Sequence, residues 1–63
     1  MTPERERLME ALAVERRHGD RAPAYIAERI GTLAAAGDLA GVERWREIAA
    51  QFDRLSRPTG AIQ

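Results

Sequence analysis

Apolar positions recur along this chain with helical spacing in three stretches, each bounded by residues that start or stop a helix. The first stretch runs through Leu8, Ala11, Leu12 and Glu15 at i, i+3, i+4 and i+7. Thr2 is a good N-cap before it, Pro3 suits the first helical position, and Glu4 complements the positive end of the helix dipole. Gly19 can adopt the left-handed conformation that closes it, and Asp20 follows as a cap for the next helix. That second helix tolerates Pro23 in its first turn and carries Ile26, Ile30 and Leu33 as its apolar stripe, ending at Gly37. Asp38 caps a third helix, on which Val42, Trp45, Ile48, Ala49, Phe52 and Leu55 share one wide arc opposite Glu43, Glu47, Asp53 and Arg54. Arg57-Pro58-Thr59-Gly60 stops it.

The expected fold is therefore all-α: three short helices over about 3–18, 21–36 and 39–56, joined by Gly-Asp turns into a small helical bundle. Residues 1–57 form a single helical domain in this reading, and 58–63 a flexible C-terminal tail. Leu8, Leu12, Ile26, Ile30, Leu33, Val42 and Trp45 are the expected core. The second helix has a strip of small residues, Ala27, Gly31, Ala34 and Ala35, beside its larger ones. Two usable faces place it in the middle of the bundle. The Gly-Asp-x-Ala string recurs at 19 and 37, but two copies of a stop-and-start grammar do not require a repeat architecture.

Composition narrows function by exclusion. A chain of 63 residues is one domain at most, and without cysteine it has neither disulfides nor thiolate metal sites to supplement a small core. Ten acids balance ten bases, four against four in residues 1–18 and again in 38–63, so no field of one sign gathers nucleic acid or anionic lipid. All the bases are arginine, which together with twelve alanines suggests a high-GC bacterial genome. The N-terminal MTPERERLME mixes charges and lacks an apolar run, so it reads as neither a secretory signal nor a membrane span. A cytoplasmic protein is expected, with no membrane association.

Chemistry has two candidate footholds. Glu15 and His18, in Glu-x-x-His spacing, share a helical face as in carboxylate-bridged di-metal bundles, with Glu28 a further oxygen donor. One histidine per chain allows such a site only across a homodimer. The plainer reading has His18 interacting with the helix C-terminus and Glu15 as a polar end of the apolar stripe, bonded to backbone, arginine or histidine. The second foothold, YIAERIG from Tyr25 to Gly31, reads like the first helix of a helix-turn-helix DNA-binding unit. The helical period continues past Gly31, however, and the third helix has no basic face for phosphates.

Val14-Glu15, His18-Gly19-Asp20, Ile26-Ala27-Glu28, Leu33, Ala36-Gly37-Asp38 and Trp45 together resemble a family of small uncharacterised bacterial proteins, domains of unknown function, over nearly the whole chain. The resemblance implies a small helical fold and brings no known activity, ligand or catalytic residue to carry across. With no phosphate loop, no Ser/His/Asp set and no depth for an enclosed pocket, a non-enzymatic interaction or assembly module without cofactor or metal is expected. Its partner is another protein or a second copy in a homodimer, with no nucleic acid. Ile48, Phe52 and Leu55 are the expected partner contacts on the third helix.

Overall fold

The structure, a computed structural model, describes residues 2–56. The expected tail at 58–63 lies outside the described residues. The chain is all-helical and forms a small helical bundle: α1 (Pro3–His18), a 3₁₀ turn (Gly19–Arg21), α2 (Ala22–Ala35) and α3 (Leu39–Ser56). The Thr2 hydroxyl accepts the Arg5 N–H at 3.1 Å, supplying a partner for one of the unpaired donors at the start of α1. At the far end of α2 the Gly37 N–H donates to the Ala34 carbonyl and the Asp38 N–H to the Leu33 carbonyl, the pair of bonds that closes a helix around a left-handed glycine. The Asp38 carboxylate then accepts the Gly41 N–H at 2.9 Å and starts α3.

The tight turn folds α3 back along α2. It also lies antiparallel to α1, as three ion pairs across that seam show: Glu4–Arg54, Arg7–Glu47 and Glu10–Arg44. Residue numbers that rise on one helix while falling on the other are the mark of opposed directions. α3 is thus the central helix, with α1 and α2 leaning on it and scarcely meeting each other. This corrects the expectation that the second helix sits in the middle. Its small-residue strip, Ala27, Gly31, Ala34 and Ala35, is exposed, and α2 continues without a break through Gly31.

The core lies where the three helices come together: Ala11 and Val14 of α1, Ala22 and Ile26 of α2, and Ile48 of α3. Tyr25, Ile30, Trp45, Ala49 and Phe52 pack around it, partly buried. Ala11 and Ala22 have no exposed surface, so the backbones approach closely there. Ile48, at 1% exposure, is the largest fully buried side chain and contributes about 1.5 to 3 kcal/mol by leaving water. It is therefore a core residue and not the partner contact expected of it. The angular separation of side chains explains the error: Ile48 lies only about 60° from Trp45 on α3 and turns inward with it.

Helix α1 also faces differently from expectation. Its buried direction lies midway between Ala11 and Val14, about 70° from Glu15 and about 90° from Leu8 at 100° per residue. Glu15 is exposed, and Leu8 and Leu12 are half-buried at the edge, not in the core. Leu33 and Val42 are half-buried as well, while Ile26 is buried as expected.

Candidate functional site

The C-terminal half of α1, the middle of α3 and Tyr25 near the start of α2 line a cleft of about 610 Å³. From α1 come Glu10, Ala13, Val14, Arg17 and His18, which recur every three or four residues and so line one side. From α3 come Arg44, Trp45 and Ile48. Val14 and Ile48 make an apolar floor that is also the core's outer surface.

An aromatic wall crosses the cleft. His18 is the last residue of α1, and the 3₁₀ turn brings Tyr25 back beside it, the two rings stacked at 3.9 Å and 15°. Tyr25 in turn meets Trp45 edge to face, with centroids 5.8 Å apart and planes at 72°. This edge-to-face geometry suits the ring quadrupoles and adds to what area burial alone provides. The Arg29 guanidinium lies 5.9 Å from the Trp45 ring centre, at the outer limit of a cation–π contact. The chain has one histidine, one tyrosine and one tryptophan, and all three line this cleft.

The charges on the rim are of two kinds. Arg44 grips Glu10 with two nitrogens, Nε donating to Oε1 at 3.3 Å and Nη2 to Oε2 more closely. That hydrogen bond, then the Glu10 charge, holds the Arg44 guanidinium above its ordinary pKa. Arg17, by contrast, is exposed and has no hydrogen-bond or ion-pair partner among the described residues. The rim thus carries one neutralised arginine and one free cation beside an apolar and aromatic surface. Such a lining can bind; it places no activated nucleophile.

Glu15 and His18 do not form a unit. His18 lines the cleft, whereas Glu15 lines a separate recess with Arg16, Gly19, Asp20, Pro23 and Phe52. His18 stands in the last turn of α1, as expected, and takes Tyr25 as its ring neighbour. Glu28 lines another, smaller hollow with His18, Arg21, Ala24 and Tyr25. Among the described residues no group of three or more acidic or histidine side chains is placed to hold a metal ion. Of the expected contacts on α3, Phe52 is half-buried against the core and Leu55 is exposed. Sequence reasoning missed Arg17, Tyr25 and Arg44 as site residues. The available signal was that His18 and Tyr25, two ring residues that each occur once, flank the first helix junction.

The model of a family of unknown function (DUF6961) matches residues 4–59, and the chain belongs to that family. No curated protein and no solved structure matches it.

Proposed function

We propose that this DUF6961 chain is a non-enzymatic interaction or assembly module that packs its helices against a protein partner, either a second copy or another chain. One observation supports the reading above the rest: the bundle leaves its apolar inventory uncovered. Of Leu8, Met9, Leu12, Val14, Ile26, Ile30, Leu33, Leu39, Val42, Trp45, Ile48, Phe52 and Leu55, only Val14, Ile26 and Ile48 are buried. Met9 is 55% and Leu39 78% exposed. Single exposed apolar residues are ordinary, but here half-buried Trp45 borders an open cleft and half-buried Phe52 a second recess, which is how binding surfaces are built. No helix among the described residues is long and apolar enough to cross a membrane. The same reading places the protein in the bacterial cytoplasm, with Phe52 and Leu55 on the contacting face.

The test is the mass of the chain in solution from low to high micromolar concentration, alone and with proteins recovered from its native lysate. A mass that rises with concentration, or a stoichiometric complex with one recovered protein, is expected. A chain that stays monomeric and enters no complex removes the proposal. No specific duplex DNA binding is expected, because the exposed charges of α3 are mixed, three acids among three arginines, and leave no basic track for phosphates.

A further inference from the structure

We propose that the cleft between α1 and α3 recognises a short acidic-apolar peptide segment of a partner protein, an apolar side chain entering against Ala13 and the Trp45–Tyr25 wall while a neighbouring Asp or Glu carboxylate pairs with Arg17. The inference rests on the interaction-module reading and names the surface and the partner chemistry within it.

Charge complementarity selects the occupant. Glu10 already satisfies Arg44 with a two-pronged bond, so the lining has a net charge of about one positive unit, and that unit is Arg17. One carboxylate matches it. A nucleic-acid strand would need a track of several free cations to follow its phosphates, and the cleft provides one. A basic peptide would be repelled by Arg17, and a purely apolar one would leave that cation facing it without a partner. The volume, about 610 Å³, suits one or two side chains and the adjoining backbone of a peptide, within the usual range of ligand sites. The His18 and Tyr25 rings of the lining are already stacked on each other, which lowers the cost of ordering the site on binding.

Trp45, the single tryptophan, lines the cleft and reports its occupation through its fluorescence. The experiment selects binders from a display library of random twelve-residue peptides on the intact chain, then titrates synthetic copies of the enriched sequences while following Trp45 emission. Enriched peptides are expected to carry Asp or Glu within a few residues of Leu, Ile, Met, Phe or Trp, and to shift the emission on binding. Arg17→Gln should weaken them about fivefold, the scale of one solvent-facing ion pair. Arg46→Gln, an equal loss of charge at an exposed site outside the cleft lining, should leave affinity unchanged. Ala13→Glu, which adds a carboxylate to an exposed wall position, should weaken binding more than tenfold. Because Arg17 and Ala13 are exposed, neither change empties the core, and circular dichroism checks that helicity is kept. The proposal is overturned by enrichment of sequences without acids, by no enrichment at all, by equal effects of Arg17→Gln and Arg46→Gln, or by tighter binding of an oligothymidylate than of any peptide. A chain that forms a complex by mass while selected peptides leave Trp45 emission unchanged removes the cleft and keeps the module; a chain with no complex and no selected peptide removes both.

Discussion

The same dipeptide joins the helices twice, and it builds two different junctions. Gly37-Asp38 makes a compact reversal: Gly37 sits at φ 77°, two backbone bonds close α2 around it, and the Asp38 carboxylate caps α3 through the Gly41 N–H. Gly19-Asp20 makes a 3₁₀ turn instead, with Gly19 at φ 55° and ψ −126°, and no side chain caps the start of either the turn or α2. The difference is decided three residues after each aspartate. Position 41 is glycine, whose N–H reaches Asp38 and whose missing side chain leaves room, since a Cβ there would lie 2.5 Å from Asp38 Oδ2. Position 23 is proline, which has no N–H to offer Asp20. A cap is thus a relation between two residues, and the acceptor alone does not establish it.

Substitutions at these junctions should separate in size, read as shifts in urea denaturation followed by circular dichroism. The largest loss is expected from Gly19→Ala, about 2 to 3 kcal/mol, because its φ and ψ lie outside the left-handed helical well and are open essentially to glycine alone. Gly37→Ala should follow at about 1 to 1.5 kcal/mol, the ordinary penalty for a Cβ at positive φ. If Gly37→Ala proves the more damaging, the contrast between the two glycines is wrong. Asp38→Ala should cost about 1 kcal/mol for its lost cap. Asp20→Ala should change stability by less than about 0.5 kcal/mol, as an exposed residue with no capping role. The contrast sharpens in the background Pro23→Ala, which restores an N–H at the third position. There Asp20→Ala should become measurably more costly than in the parent chain, and an unchanged cost would show that the proline is not what silences Asp20.

What could be read in advance follows the same division. The three helices and the reversal at Gly37-Asp38 were legible because their signals are local, made by residues a few positions apart. The facing of α1 was not. Leu8-Met9-Glu10-Ala11-Leu12-Ala13-Val14 is apolar nearly all round, so periodicity cannot choose which side turns inward. The choice was made by fit: Ala11 lets α1 approach closely, while Arg7 and Glu10 reach across to Glu47 and Arg44 on α3. The cleft was hidden for a related reason. Its ring wall depends on how the 3₁₀ turn aims α2, and the turn type depends on a proline whose effect here is the loss of a hydrogen-bond donor. The central place of α3 likewise follows from pairings between residues 34 to 50 positions apart, which no short window contains.

Those long-range pairs carry a message that their strength does not suggest. Along α1 the rungs read acid, base, acid at Glu4, Arg7 and Glu10, and along α3 they read base, acid, base at Arg54, Glu47 and Arg44. Each exposed pair contributes at most about 1 kcal/mol. Slide α1 by three residues along α3, however, and Arg7 faces Arg44 while Glu4 faces Glu47, so attraction turns to repulsion at both positions at once. The alternation works as a parity check on helix register, rejecting misaligned encounters during folding that the smooth, alanine-rich seam would accept. In molar salt the screening length falls to about 3 Å, and the check is erased while the helices themselves persist.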